Sequence, residues 1–174
     1  MRNDVGNMDY FMGVDPGKQG AFSVLSTKGD LLSIYDMPLS NKQPCPYGIA
    51  KLYLKIKKTY NKTFSVIEKP HSRPTDGKKG IASYHLGAGY LVMPLLWDWP
   101  MQMIHPTIWT KLIHVGQPAE LSAKKKSKAA FQALFPMLAR SEAFIDGKVV
   151  YDGRIDAVLI AEYARRLHNG IAGG

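Results

Sequence analysis

Cysteine and long apolar runs are nearly absent from this sequence. Cys45, between two prolines, is the only cysteine among 174 residues, which excludes an internal disulfide and a zinc site built on cysteines. The longest apolar run, Tyr90 to Leu96, contains a proline and is far too short to cross a bilayer. The N-terminal residues lack the apolar segment of a secretory signal. We therefore expect a cytoplasmic protein that does not associate with membranes.

Acidic residues are few relative to basic ones. The chain has 14 Asp and Glu against 23 Lys and Arg, which gives a formal net charge of +9 at pH 7. Such an excess favours polyanionic partners, and nucleic acid is the first candidate because phosphate contacts dominate its affinity. A solvated basic surface without a partner is the alternative.

The rest of the composition is typical of a soluble globular protein, with 45% hydrophobic and 21% charged residues. The length fits one domain. We expect a single domain over 1–174, with loose tails at 1–9 and 169–174.

The stretch MGVDPGKQGA, Met12 to Ala21, predicts a β-hairpin with an acid at the end of its first strand. An apolar run ends at Asp15, and a Pro-Gly turn leads into a second apolar run. A carboxylate at a strand end is held by the sheet and can serve as a metal ligand or general base. The alternative is that Asp15 only opens the turn.

Periodicity predicts an α/β fold. Three strands with short turns form an antiparallel meander, and a fourth strand, Thr63–Ile67, ends at a second acid, Glu68. A fifth strand is predicted at Met101–His105. Helical spacing predicts helices over the following segments: Tyr47–Tyr60, Ile81–Leu91, Thr107–Val115 and Asp152–His168. If the segment from Ala119 to Ala130 is helical as well, its alanines pack inward and its lysines project.

Two acids lie four residues apart at the start of the last predicted helix and therefore share one side of it. Asp152 is either the helix N-cap or a functional acid. Asp156 precedes an apolar run, so we expect it to be partly buried, and a buried acid needs a partner or a metal. Carboxylates that converge repel one another unless divalent metal neutralises them. Two Mg²⁺ or Mn²⁺ ions about 4 Å apart can promote phosphodiester hydrolysis.

Basic residues cluster in two places. The loop Lys69 to Gly80 directly follows Glu68 and is placed to grip phosphates, although a disordered segment without function has the same composition. The segment AKKKSK, 123–128, carries the densest positive charge in the chain. Lysines on the helix Tyr47–Tyr60 fit a solvated face better than a DNA-binding track.

Four segments together resemble the RuvC-like Holliday junction resolvases of the RNase H-like superfamily, especially the divergent phage branch related to the mitochondrial and poxvirus resolvases. They are VDPGKQGAFSV, SVIEKP, HPTIWTKLIHVG with the lysines after it, and GRIDAVLIAEYARR, and they span nearly the whole chain. The resemblance implies an RNase H-like fold, in which a five-stranded mixed sheet (three antiparallel strands, then two parallel) is flanked by helices.

The resemblance also implies a catalytic site. Asp15 and Glu68 match the first two metal-binding acids of the family, and Asp156 matches the last. The family usually has an acid or histidine three residues before the last acid, where this chain has Gly153, so Asp152 becomes the candidate for a fourth ligand. Lys126 resembles the lysine that approaches the scissile phosphate, although its lysine neighbours are candidates as well. Two Mg²⁺ or Mn²⁺ ions per site are implied, without a small-molecule cofactor.

The implied activity is resolution of Holliday junctions or other branched DNA by paired symmetric nicks. It implies a homodimer, in the host cytoplasm if the gene is carried by a phage, with Ile81–Leu91 as a candidate dimer surface; burial of that helix against its own sheet is the alternative. The candidate DNA-binding residues are Lys69, His71, Arg73, Lys78, Lys79, Lys111, Lys124, Lys125 and Lys128. His71 stands where some relatives place an aromatic residue against a base.

Two other functions compete with this hypothesis. One is a non-catalytic module that binds branched DNA with the same fold, and the acids speak against it. The other is an ATP-using protein of the actin and sugar-kinase type. That fold needs two such domains and a second phosphate loop, neither of which this chain contains.

Overall fold

The computed structural model describes residues 7–69, 100–146 and 149–170. Its strands are β1 Tyr10–Val14, β2 Ala21–Ser26, β3 Leu31–Asp36, β4 Leu39–Ser40, β5 Gln43–Pro44, β6 Thr63–Glu68, β7 Met101–Ile104, β8 Ile145–Asp146 and β9 Val149–Val150. Its helices are α1 Pro46–Thr59, α2 Pro106–Ile113, α3 Ala123–Leu134 and α4 Asp152–His168, with a 3₁₀ turn at Leu138–Arg140. The predicted helix Ile81–Leu91 lies outside the described residues.

Five of these strands form one mixed sheet in the order β3-β2-β1-β6-β7. The first three strands are antiparallel neighbours, whereas β1, β6 and β7 run parallel. This arrangement confirms the predicted fold class. Val14 of β1 pairs with Ile67 of β6, so the next residue of each strand, Asp15 and Glu68, emerges at the same edge of the sheet.

Helices cover both faces of the sheet, because the central strands are apolar on both sides. On one face α1 buries the predicted positions Ile49, Leu52, Tyr53 and Ile56 against β1, β2 and β6. On the other face α4 packs on the same strands and contacts α2 and α3. The lysines of α1 are exposed, as predicted for a solvated face, and Lys55 lies over the Tyr35 ring of β3.

The start of α1 shows a use for the single cysteine. Pro46 is the first helical residue, and the Gly48 N–H donates to the Cys45 sulfur at 3.5 Å. A proline at this position costs no hydrogen bond because the first N–H groups of a helix have no internal partner. Cys45 therefore acts as the helix N-cap.

Helix α4 crosses β1 with no side chain between the two backbones. A Cβ atom added to Gly13 would lie 2.1 Å from the Ala157 carbonyl oxygen and 2.3 Å from the Ala161 nitrogen. The Ser23 hydroxyl of β2 donates to the same Ala157 oxygen at 2.8 Å. Gly13 is therefore required for the close approach that holds α4 on the sheet.

The first turn of α4 is tied to β3 by Arg154. Its guanidinium donates to both carboxylate oxygens of Asp36, at 2.5 and 2.6 Å, and to the Ala143 carbonyl at 2.6 Å. The prediction of Asp152 as N-cap is wrong, because the helix begins at Asp152 itself and Tyr151 takes the cap position. The carboxylate of Asp152 still lies in the first turn, where the helix dipole favours a negative charge.

Within the three described ranges, no helix has the length and apolar character needed to cross a membrane.

We predict that Gly13→Ala lowers the free energy of unfolding by at least about 3 kcal/mol, because the new methyl group meets backbone atoms that no side-chain rotation can move. Urea unfolding followed by circular dichroism measures the loss. Gly116→Ala is the control, since Gly116 has φ +81° and open space around it. Gly116→Ala introduces backbone strain alone and is expected to lower the free energy of unfolding by about 1–2 kcal/mol. Equal costs for the two variants would contradict the packing argument.

Candidate active site

Three carboxylates meet at the edge of the sheet where β1 and β6 end. Asp15 directly follows β1, Glu68 is the last residue of β6, and Asp156 lies in the second turn of α4. The charge of Asp15 raises the pKa of both other acids, and that of Asp156 raises the pKa of Glu68. The structure thus brings together three of the four predicted ligands.

Asp15 has the turn role that the sequence offered as one alternative, and its charge also acts on the two other acids. Its Oδ1 accepts the Gly17 N–H at 3.0 Å, and the Gly20 N–H donates to the Gly17 carbonyl at 2.8 Å, so the carboxylate does shape the turn. Burial raises its pKa, and the Gly17 hydrogen bond opposes that rise. The turn therefore aims the carboxylate into the cluster.

Glu68 is held by a tryptophan. Burial, followed by the charge of Asp15, raises its pKa to about 7. The Trp109 indole Nε1–H donates to Glu68 Oε2 at 2.7 Å and opposes the rise. Trp109 belongs to α2 and is 2% exposed.

Asp156 is partly compensated by two neighbours. Burial and the charge of Asp15 raise its pKa to about 7, while Ser127 and the more distant Lys124 act in the opposite direction. Its Oδ1 is buried and has no hydrogen-bond partner among the described residues. A buried carboxylate oxygen of this kind is available to a cation.

Asp152 lies at the mouth of the cleft. Its Oδ2 accepts the Lys124 amino group at 2.8 Å, with the two side chains 44% and 79% exposed respectively. The cleft behind this ion pair is lined by Lys124, Ser127, Lys128, Asp152, Ile155 and Asp156. Asp152 therefore has a cation partner that the three inner acids lack within the described ranges.

The structure explains why glycine occupies position 153. A Cβ atom added to Gly153 would lie 1.9 Å from the Gln19 carbonyl oxygen and 2.8 Å from the Gly20 Cα. The turn that carries Asp15 thus packs directly against the first turn of α4. No acid or histidine fits at the position where the RuvC-like resolvases usually have one.

The predicted basic residues differ in their contacts and in their exposure to solvent. Lys124 contacts Asp152, and Lys128 lines the cleft. The Lys126 amino group donates instead to the Ala119 carbonyl at 3.1 Å. Lys69, Lys111 and Lys125 are exposed. His71, Arg73, Lys78 and Lys79 lie outside the described residues.

Three residues behind the carboxylates were not predicted as part of the site: Trp109, His114 and Ser127. The edge of the Trp109 ring meets the His114 ring at a centroid distance of 5.6 Å, and His114 Nε2 lies 3.2 Å from the Ser127 hydroxyl. Burial, followed by the charge of Lys126, lowers the pKa of His114. For Trp109 the sequence offered one signal, because the indole N–H of a buried tryptophan needs an acceptor.

The donor chemistry of the cluster suits a hard divalent cation, because its side-chain donors are carboxylate oxygens. The unpartnered Oδ1 of Asp156 fits such an ion as well. As the side chains stand, however, no three His, Cys, Asp or Glu residues within 7–69, 100–146 and 149–170 form a group that could hold a metal. Ion binding would therefore require movement of the carboxylates.

Comparisons with known proteins identify the fold. No protein-family model matches the chain, and no curated protein matches it in sequence. Among solved structures, a Thermus thermophilus RuvC in complex with a Holliday junction substrate matches with a TM-score of 0.64 and 16% identity, over 95% of this chain and 98% of that one. Another T. thermophilus RuvC structure matches with a TM-score of 0.63 and 16% identity, over 93% and 97%. The chain therefore has a RuvC-like, RNase H-like fold.

We predict that in metal-free buffer the protein loses stability as the pH rises from about 4.5 to about 7. In this window the folded state keeps protons on Glu68 and Asp156 that the unfolded state has released, so the free energy of unfolding falls with pH. A pKa rise from 4.5 to about 7 for Glu68 corresponds to a loss on the order of 3 kcal/mol.

Urea unfolding at a series of pH values with EDTA present measures this slope. Glu68→Gln is expected to flatten the slope and to stabilise the protein at pH 8. Asp30→Asn, which removes a negative charge at the opposite edge of the sheet, is the control for net charge. A wild-type stability that rises across this window would contradict the prediction.

Proposed function

We propose that this protein is a divalent-metal-dependent endodeoxyribonuclease that resolves four-way or other branched DNA by paired symmetric nicks. The observation that carries this proposal is the group of three partly buried, mutually repelling carboxylates at one edge of the sheet, Asp15, Glu68 and Asp156. The net charge of +9 favours a polyanionic substrate. The fold is that of RuvC, and one matching RuvC structure is bound to a Holliday junction substrate.

The three carboxylates would hold two Mg²⁺ or Mn²⁺ ions. Bound metal would supply activation of a water molecule and stabilisation of the leaving 3′ oxygen. The protein's own contribution is to fix the acids on three different elements, because β1, β6 and α4 are rigid and packed together. Burial of the acids keeps the dielectric low, which strengthens the electrostatic interactions of the site.

Basic residues at the mouth of the cleft would bind the phosphate that is cut. Lys124 is held beside Asp156 by its ion pair with Asp152, and Lys128 lines the same cleft. A cation at this place offsets negative charge that builds up on the phosphoryl oxygens. Lys126 stays a prediction from the resemblance, as do Lys69, Lys111 and Lys125, which are exposed and free to meet the DNA backbone.

The proposal includes a homodimer, since two symmetric nicks require two sites related by a two-fold axis. We also propose that the protein belongs to the divergent phage-type branch of these resolvases. Four candidate DNA contacts, His71, Arg73, Lys78 and Lys79, complete the proposed interface.

A second candidate function is a non-catalytic module that binds branched DNA. One observation favours it: the acids in the described ranges do not stand as a ready-made ligand group. The burial of three carboxylates argues against it, because a binding surface gains nothing from acids that repel phosphate and cost free energy to bury.

We predict that the wild-type protein cuts a labelled four-way junction in Mg²⁺ or Mn²⁺ and that EDTA abolishes cutting. Asp15→Asn and Glu68→Gln each lower the single-turnover rate by at least about 100-fold, because each removes a charge that stabilises the transition state through the metal site. Junction binding, measured by gel shift, stays within a few fold of wild type.

Asp30→Asn is the matched control, since it is the same chemical change at the opposite edge of the sheet, where the Asp30 carboxylate accepts the Ser26 hydroxyl. Its rate is expected to equal that of wild type. A wild type that shifts the junction but never cuts it would establish the binding module instead. Equal cutting of a linear duplex would exclude a junction resolvase.

We further predict that Asp152→Asn lowers the cleavage rate by less than Asp15→Asn, by about tenfold. Asp152 is exposed and already paired with Lys124, so its loss frees the lysine without opening the inner cluster. Lys124→Ala should then give a similar defect, and the double variant should be no worse than the worse single variant. A strictly multiplicative double defect would show that the two side chains act independently.

A further inference from the structure

The Trp109 side chain is buried for a reason that packing alone does not explain. It is 2% exposed and belongs to the same apolar core as Phe144, Val158 and Leu159. An indole N–H is a donor only, and a buried donor without an acceptor is costly. A phenylalanine or leucine would fill such a core position without creating this requirement. The acceptor supplied here is a carboxylate of the candidate active site.

Glu68 needs a partner of this kind. A glutamate side chain has several rotatable bonds, and as the last residue of β6 it extends past the end of the strand. Within the described ranges, the Trp109 indole is the only hydrogen-bond donor that reaches its carboxylate. Asp15, by comparison, is aimed by the Gly17 N–H of its own turn.

The segment that runs from β7 into α2 contacts both the backbone and the side chain of Glu68. In the β6–β7 ladder Glu68 pairs with Ile104, and the Lys69 N–H donates to the Ile104 carbonyl at 2.7 Å. Trp109 follows Ile104 by only five residues, and its indole contacts the Glu68 side chain at the end of β6.

The turn between Ile104 and Trp109 is itself rigid. His105 caps α2 by accepting the Thr107 N–H at 3.4 Å on Nδ1, and Pro106 is the first helical residue. The position of Trp109 relative to the end of β6 is therefore fixed by the start of the helix.

We propose that Trp109 is a positioning residue, whose indole N–H keeps the Glu68 carboxylate on the side of Asp15 and Asp156, so that a divalent cation can draw the three acids together. This inference rests on the proposed metal-dependent function. Trp109 does not touch DNA or metal in this arrangement; it acts through Glu68.

Trp109→Phe tests the proposal, because it keeps an aromatic ring in the core and removes only the N–H and part of the indole. We expect the apparent affinity for Mn²⁺, measured by titration calorimetry, to fall by about 10–100-fold, and the Mn²⁺ concentration for half-maximal cleavage to rise in parallel. The affinity for the junction stays unchanged. Excess Mn²⁺ should recover most of the cleavage rate.

Phe144→Leu is the matched control for damage to the same core. Phe144 is fully buried and packs on Phe131 at a ring distance of 4.7 Å, and its side chain carries no hydrogen-bond donor for an acid of the site. It should lower the melting temperature at least as much as Trp109→Phe and leave Mn²⁺ affinity unchanged. If both variants lose Mn²⁺ affinity in proportion to lost stability, Trp109 is structural and the proposal is overturned.

An isosteric replacement covers the case in which Trp109→Phe fails to fold. Benzothienylalanine at position 109 has sulfur in place of the N–H and nearly the same shape as tryptophan. It should reproduce the loss of Mn²⁺ affinity at a wild-type melting temperature. Wild-type Mn²⁺ affinity in this variant would overturn the proposal.

Nuclear magnetic resonance tests the Trp109–Glu68 hydrogen bond independently of DNA cleavage. The chain has three tryptophans, and the indole ¹H–¹⁵N signal that Trp109→Phe removes can be assigned to Trp109. Glu68→Gln should move this signal, and Asp30→Asn should not. If the wild type binds Mn²⁺ and cuts DNA but Trp109→Phe matches it in both, only the positioning role fails. A wild type that neither binds Mn²⁺ nor cuts would overturn this proposal and the proposed function together.

Discussion

The structure depends most on the direct backbone contact between helix α4 and the start of the chain. At Gly13 the helix lies on β1 without any side chain between them, and at Gly153 its first turn lies on the Gln19–Gly20 turn. These contacts bring α4 close enough for Asp156 to interact electrostatically with Asp15 and Glu68, which β1 and β6 present at the same edge. The three carboxylates thus lie together because of this packing. The buried apolar core keeps them together although they repel one another.

This arrangement separates the acids into two environments. The inner three are crowded and poorly compensated, whereas Asp152 is exposed and paired with Lys124. An acid without a nearby cation gains most when a divalent ion arrives, and an acid with a lysine partner gains least. Of the inner three, Asp156 lines the cleft together with Lys124, Lys128 and Asp152, so acids of both environments meet there.

Much of the fold could be predicted from the sequence, and less of the site. The strands followed from apolar runs that end in turns, and α1 from its spacing of buried residues. The five-stranded mixed sheet, with three antiparallel strands and then two parallel ones, came from the resemblance and is confirmed, whereas the strand order β3-β2-β1-β6-β7 is known only from the structure. Asp15 and Glu68 were identifiable because a polar residue directly follows or ends a buried strand. The Trp109–Glu68 hydrogen bond was not predictable, since its partners are 41 residues apart and meet only after α2 is placed. The steric role of Gly153 and the pairing of Lys124 with Asp152 likewise depend on contacts between distant segments.

The contacts at the start of α4 fix the rotation of the helix about its own axis. Asp152 and Asp156 face the cleft, Gly153 faces the turn after β1, and Arg154 grips Asp36 at the end of β3. Each residue turns a helix by about 100°, so a single insertion or deletion here would send a side chain into the Gln19 carbonyl and turn the acids away from the cleft. The length of chain between Tyr151 and Asp156 is thus fixed by these contacts on both sides of the helix.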